Sequence, residues 1–181
     1  MSRKPSSTSS NRLDEMIKIY LMNLNDVSNL ELEVKFGTLK NRKSITRNDF
    51  ENVVKRLKSL GFVATTKSEH ILRIFTSFTD NIGKEKQSNV RVNLVGVNKI
   101  SAYCRDDKID NYNVGFERKV TFRHNNKFID SVDFEDFNFR VSLNEEDYPS
   151  SQIKDKMISE WGNMKKTFRL MNRTTFHHKD F

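Results

Sequence analysis

Leu30-Glu31-Leu32-Glu33-Val34-Lys35-Phe36-Gly37 is the stretch whose reading decides the fold. Leu30, Leu32, Val34 and Phe36 are apolar, while Glu31, Glu33 and Lys35 are charged. Alternation with period two predicts a β-strand with unlike faces. Glu is depleted in strands, so two on one face need a reason. Their Cα atoms would stand about 6–7 Å apart along the strand, close enough for both carboxylates to share a divalent cation. Mg²⁺ takes oxygen ligands of this kind. The competing reading is a surface strand with a solvated acidic face. The choice turns on whether other strands supply a matching basic face.

Upstream, Leu13, Met16, Ile17, Tyr20, Leu21 and Leu24 follow the spacing of an amphipathic helix. Residues Met1 to Asn11 carry Ser, Lys, Arg and Pro without an apolar anchor and are expected to form a disordered tail. Downstream, Gly37 to Ser44 reads as a basic loop. Thr46 and Asp49 form a capping-box pair opening a second helix, with Phe50, Val53, Val54, Leu57 and Leu60 on one face and Gly61 at its end. From Phe62 the pattern is mainly β, with strands expected at Val63–Thr66, His70–Phe78, Asn89–Val95, Tyr112–Arg123, Lys127–Phe134, Phe137–Leu143 and Lys165–Phe176. Asp80–Ser88 and the acidic Asn144–Ser151 read as loops, and His124-Asn125-Asn126 as a turn. Asn98 is expected to cap a short helix carrying Ile100, Tyr103 and Cys104. Ile153, Met157, Ile158 and Trp161 suit another.

A length of 181 residues suggests one domain, here 12–181, with a core rich in the 14 Phe residues. The net charge of +8 favours a polyanionic partner, and the 24 acidic residues argue against a simple basic coat. Cys104 is the only cysteine, which excludes a disulfide framework and a zinc cluster within this sequence and reads as a packed core thiol. No apolar run approaches the length of a transmembrane helix, and Met1–Asn11 lacks the apolar centre of a secretory signal. A reducing, cytoplasmic setting is expected. His177-His178 reads as a solvated turn, and Glu145-Glu146-Asp147 as a solvated loop.

Charged residues recur in the middle of strands: Glu31, Glu33 and Lys35; Arg91; Glu117, Lys119 and Arg123; Arg140; Arg169 and Arg173. Arg presents a donor fork that suits phosphate. If these faces curve towards one another, the result is a barrel with a polar lumen and helices outside. Such a lumen could bind a polyphosphate through its basic residues and a divalent cation through Glu31 and Glu33.

Glu31-Leu32-Glu33-Val34-Lys35-Phe36 resembles the first-strand ExExK motif of the triphosphate tunnel metalloenzymes. Within them the chain most resembles the RNA triphosphatase domain of the mRNA capping enzymes of large DNA viruses. Val90-Arg91-Val92-Asn93-Leu94, Phe139-Arg140-Val141-Ser142-Leu143 and Phe168-Arg169-Leu170-Met171-Asn172-Arg173 are similar to later strands of the family, and Lys119 to its tunnel-wall Lys. The resemblance spans residues 12–181. It implies an α+β fold, mainly antiparallel β, a triphosphate-tunnel barrel with flanking helices. It implies a polynucleotide 5′-triphosphatase that removes the γ-phosphate of nascent mRNA in cap formation. Glu31, Glu33, Lys35 and Arg91 would be catalytic, with Glu31 and Glu33 binding Mg²⁺ or Mn²⁺. Arg91, Lys119, Arg140, Arg169 and Arg173 would bind phosphate. The implied partners are 5′-triphosphate RNA, nucleoside triphosphates, and capping guanylyltransferase and methyltransferase domains or subunits, with no membrane. The implied location is a viral factory or virion.

Two features depart from the family pattern. Met171 stands where the last strand usually carries a Lys, and a thioether donates nothing to phosphate. The family continues into a strand with a second Glu cluster, so the chain is expected to be a tunnel incomplete at its C-terminus. Two other functions stay open: an inorganic tripolyphosphatase or other tunnel-fold phosphohydrolase, and a non-catalytic basic β-protein that binds nucleic acid.

Overall fold

Period-two patterning carries over into strands in the structure, a computed structural model that describes residues 7–37, 45–64, 69–79, 82–110, 113–135 and 138–179. Most of the expected basic loop Gly37–Ser44 and the first six residues of the expected tail lie outside the described residues. The chain divides into two compact units, Met1–Arg56 with Lys119–Glu146 and Leu57–Arg118 with Asp147–Phe181. The strands are antiparallel and helices flank them, as the α+β expectation has it.

In the first unit, α1 (Ser7–Asn23) precedes β1 (Leu30–Phe36). The helix starts at Ser7, so residues 7–11 of the expected tail are helical. Residues 8–11 of it are exposed or half-buried and none is part of the core. Strand β9 (Phe139–Asp147) pairs antiparallel with β1 from Leu30↔Glu145 to Phe36↔Phe139. It also pairs with β8 (Val132–Phe134). Glu145, Glu146 and Asp147, expected in a loop, belong to β9. Leu30 faces Glu145 across the ladder, and the Glu146 N–H donates to the Asn29 carbonyl (3.0 Å). These backbone partners hold an acidic run extended against its propensity. Beneath the sheet, Met16 of α1 packs with Phe122, Val132, Phe134, Val141 and Leu143. Leu143 is fully buried, and burial of that kind contributes about 1.5–3 kcal/mol per side chain. The hairpin β6 (Arg123–His124) and β7 (Lys127–Phe128) turns at Asn125 and Asn126, both with positive φ (51° and 63°). Asn tolerates that left-handed region, and a two-residue hairpin loop needs it.

In the second unit, β10 (Lys165–Arg173), β3 (Glu69–Thr79), β4 (Glu85–Val95) and β5 (Gly115–Thr121) pair in that order, each antiparallel. The division between the units falls inside β5, after Arg118. Strand β4 starts at Glu85, inside the expected polar loop, because Glu85, Lys86 and Gln87 pair with the end of β3. Leu72, Ile74, Val90, Val92, Leu94 and Phe116 form one buried face. It is covered by Tyr103 of α3 (Val97–Asp106), Met157 of α4 (Ser151–Glu160) and Trp161. Gly96, not Asn98, is the N-cap of α3, and Cys104 is exposed rather than packed, because Tyr103 takes the buried position on that helix. Short β2 (Val63–Ala64) pairs with β11 (Phe176–His177). His177 is thus in a strand. His178 bonds to the Leu60 carbonyl (3.0 Å) and tilts against Phe62 (5.0 Å), so the pair expected as a turn is anchored at a strand end, with His177 still exposed.

Helix α2 (Arg47–Ser59) runs across the division. Thr46 and Asp49 exchange hydrogen bonds between side chains and backbone N–H groups, a complete capping box. At the other end the Gly61 N–H donates to Lys58 and the Phe62 N–H to Leu57, with Gly61 at φ 89°. That is the Schellman pattern.

Candidate functional site

The polar face of the first unit is set by register. Glu31 and Glu33 of β1 stand opposite Asn144 and Ser142 of β9. These are short side chains, and Asn144 donates to Ser142 Oγ at 3.1 Å. Lys119 of β5 places its ammonium between the two carboxylates. Its Nζ lies 2.6 Å from Glu31 Oε2 and 2.7 Å from Glu33 Oε2. Lys35 adds a contact of 2.9 Å to the same Glu33 oxygen. One step along, Arg140 faces Lys35 across the ladder on one side and Asp133 on the other. Its guanidinium grips Asp133 with two bonds of 2.5 and 2.8 Å.

Burial would raise the Glu33 carboxyl pKa, but hydrogen bonds from Lys119 and Lys35 together with their charges outweigh it and hold it below its ordinary value. Burial would likewise lower the Lys119 ammonium, and its bonds to Glu31 and Glu33 hold it above its ordinary value. Both shifts favour the charged forms of Glu33 and Lys119.

In the second unit the proportions reverse. Glu117 Oε2 accepts from Arg91 Nε (2.5 Å), Asn93 Nδ2 (2.9 Å) and an Arg73 terminal nitrogen (3.3 Å). Arg73 Nε also donates to Asn93 Oδ1 at 2.9 Å. Arg91 is only 9% exposed. Arg169 stands directly opposite Arg73 in the β10–β3 ladder, with its guanidinium 5.6 Å from the Phe75 ring. Like charges facing each other across a ladder are unfavourable, and the aromatic face offsets part of that. Arg173 pairs with Glu69 at 2.6 Å on the exposed edge. Met171 faces Ile71 in the ladder.

The structure therefore brings Glu31, Glu33, Lys35 and Lys119 into one cluster, with Arg140 beside Lys35 on the same face. It places Arg91, Arg169 and Arg173 in the second unit, where Arg173 is engaged separately. Sequence reasoning missed Arg73, and it left Glu117 and Asn93 without roles. Arg73 carries the same signal as Arg91, a single cation inside an apolar run, Ile71-Leu72-Arg73-Ile74. The run does not alternate because Ile71 and Leu72 are both buried.

The chain resembles the RNA triphosphatase domain of a mimivirus capping enzyme. A crystal structure of that domain, from a trifunctional mimivirus mRNA capping enzyme, is 17% identical, with a TM-score of 0.49 over 92% of this chain and 70% of that one. A monoclinic form of the mimivirus capping enzyme triphosphatase is also 17% identical, with a TM-score of 0.46 over 92% of this chain and 72% of that one. No protein-family model matches the chain, and no curated protein sequence matches it.

The donor set bears on metal binding. Among the described residues no group of three or more His, Cys, Asp or Glu side chains converges on a point. Mg²⁺ does not need such a cage, since one or two carboxylates plus substrate phosphates and water commonly complete its shell. Glu31 and Glu33 fit that requirement in type and number, and their oxygens already converge on a single cation, the Lys119 ammonium. The second unit also holds a cavity of about 780 Å³, lined by Phe78, Ile82, Val90, Ile153, Met157 and Met164 among others. Its walls mix these apolar side chains with Lys86, Lys156 and Glu160, and the Arg–Glu117 group does not line it. No described helix is long and apolar enough to cross a membrane.

Proposed function

We propose that the chain is a metal-dependent polynucleotide 5′-triphosphatase that removes the γ-phosphate from the 5′ end of RNA, the first step of cap formation. The observation that carries this reading is the convergence of Glu31 and Glu33 on one cation position, 2.6 and 2.7 Å from the Lys119 ammonium. The ExExK resemblance of the same strand supports it, and so does the net charge of +8.

Glu31 and Glu33 would hold Mg²⁺ or Mn²⁺, which when bound polarises phosphoryl oxygens and makes water more acidic. The remaining work falls to the chain's own residues. Lys35 and Lys119 donate to oxygens of the transferring phosphoryl group, where negative charge is concentrated. Arg140, held rigid by Asp133, presents its fork on the same face. In the second unit Arg91 and Arg73, aligned by Glu117, make a donor-rich group of their own, suited to phosphate oxygens. The arginine donors, fixed before substrate arrives, need no reorganisation in the reaction. Nucleoside triphosphates present the same triphosphate and are proposed as secondary substrates. Guanylyltransferase and methyltransferase activities that complete a cap are proposed as partners, in a cytoplasmic setting.

Phosphate release from γ-labelled RNA, with Mg²⁺ or Mn²⁺, tests the reading in the wild type and in Glu33→Ala. Release that vanishes in the variant is expected. Wild-type activity in Glu33→Ala would remove the metal site from the account. A second reading is favoured by the ion pairs of Lys119 and Lys35, which together offset the charge of the acidic pair: a non-catalytic binder of nucleic acid. It predicts salt-sensitive RNA binding that needs no divalent ion and no phosphate release. Competition between triphosphate-ended RNA and inorganic tripolyphosphate separates the RNA enzyme from a tripolyphosphatase.

A further inference from the structure

Lys119 occupies the position between two carboxylates that the proposed function gives to a divalent cation. Its Nζ touches one oxygen of each, and its side chain is 20% exposed, against 41% for Glu31 and 55% for Lys35. Lys35 reaches Glu33 alone, so it does not bridge the pair. A Mg²⁺ ion bound to these oxygens would sit about 2.0–2.1 Å from each. An ammonium and a divalent ion cannot both lie there, since contact distances and like charge forbid it. Entry of the metal and departure of Lys119 are therefore one event.

The lysine stem is flexible and its ammonium is a point charge with three donors. Leaving two carboxylates is uphill unless another anion receives it. Phosphate oxygens are such an acceptor. We infer that Lys119 is the resident counter-ion of the Glu31–Glu33 pair, exchanged for a divalent cation when a polyphosphate arrives. The inference rests on the reading of that pair as metal ligands. Without polyphosphate the metal binds weakly, because it must displace the lysine unaided. With polyphosphate the displaced ammonium gains new partners, and the two ligands bind cooperatively. By linkage the metal must raise polyphosphate affinity by the same factor.

Mn²⁺ binding, followed by electron paramagnetic resonance and calorimetry with and without inorganic tripolyphosphate, tests the exchange without any turnover. In the absence of tripolyphosphate, Lys119→Met should bind Mn²⁺ about tenfold more tightly than the wild type. Tripolyphosphate should tighten Mn²⁺ binding in both, because its oxygens can join the metal's shell, and by a clearly larger factor in the wild type than in the variant. Lys35→Met removes the same charge from beside Glu33 and should give a much smaller change. Lys119→Met should melt lower than the wild type without metal, and Mn²⁺ should restore it more than it raises the wild type. If the variant does not fold, lysine-specific acylation of the wild type read by mass spectrometry serves instead. Lys119 should become more reactive when Mn²⁺ is added to the polyphosphate-free protein at saturating concentration.

Equal or weaker Mn²⁺ binding in Lys119→Met would overturn the exchange. In the acylation experiment, unchanged Lys119 reactivity would do the same. Mn²⁺ binding that is lost in Glu33→Gln yet indifferent to Lys119 would overturn the exchange alone. Mn²⁺ binding that is indifferent to both Glu31→Gln and Glu33→Gln would overturn the metal reading with it.

Discussion

The polar faces of the two units use the same residue types in opposite proportion. In the first, one ammonium is held by two carboxylates, Lys119 between Glu31 and Glu33. In the second, one carboxylate oxygen takes three donors, from Arg73, Arg91 and Asn93. A carboxylate-rich cluster is suited to cations and a donor-rich cluster to anions. Ion pairing alone thus does not tell what a charged face does, since both are fully bridged. The proportion of donors to acceptors does.

Changing the central residue of each cluster should break this comparison most sharply. Glu33→Ala should lower phosphate release by about a hundredfold or more, measured as kcat with saturating Mn²⁺, while the protein stays folded by circular dichroism. An intact kcat would mean that the acidic cluster is structural. Glu117→Ala should act the other way, through stability. It leaves two guanidinium groups near each other without the carboxylate they share, in a site where Glu117 is 15% exposed. Loss of a buried partner of this kind costs about 3 kcal/mol, readable by urea denaturation. Tripolyphosphate should recover more of that loss than it adds to the wild type. A variant as stable as the wild type would show that Glu117 does not organise the second cluster.

Smaller changes sharpen the contrast. Arg91→Lys keeps the charge but loses the planar fork, and should weaken tripolyphosphate binding about tenfold with little effect on Mn²⁺ affinity. A change in Mn²⁺ affinity instead would blur the division of labour. Arg173→Ala removes an edge pair with Glu69 in which both partners are well exposed. Exposed pairs contribute little, so binding should stay within about twofold by calorimetry. A larger loss would give Arg173 a phosphate role.

Asp107 offers a check away from both clusters. Hydrogen bonds from Lys166 and Tyr103 hold its carboxyl below the ordinary carboxylate range. A lowered folded-state value contributes stability above the unfolded pKa, and that contribution is lost as pH falls through the folded one. Asp107→Asn should therefore flatten the acid limb of the stability profile below about pH 4 and leave the neutral limb nearly parallel. An unchanged acid limb would assign that limb to other carboxylates.

Local features were legible because local rules govern them. The alternation of Leu30–Phe36, the Thr46–Asp49 box, Gly61 and the Asn125-Asn126 turn all appear where their residues require. Features set by partners were not legible. Glu85–Ser88 and Glu145–Asp147 look like loops by composition, and the facing strand makes them strands. Cys104 sits next to the buried Tyr103, and helix phase alone decides which of them is covered. Within the site, the Glu pair could be read from spacing. The meeting of Lys119 with Glu31 and Glu33, and of Arg73 with Glu117, depends on inter-strand register, which no single strand records.

Strand β5 carries Glu117 and Lys119 two residues apart, hence on one face. The acid is the hub of the arginine cluster, and the base is the hub of the carboxylate cluster. Alternating polarity guards a strand only against odd slips, because an even slip returns each side chain to its own face. Here a slip of two residues along β4 would set Lys119 against Arg91 in place of Glu117, and that is repulsive. The opposed signs on β5 thus act as a parity check that hydrophobic patterning lacks, and a charge swap, Glu117→Lys with Lys119→Glu, would write the message backwards.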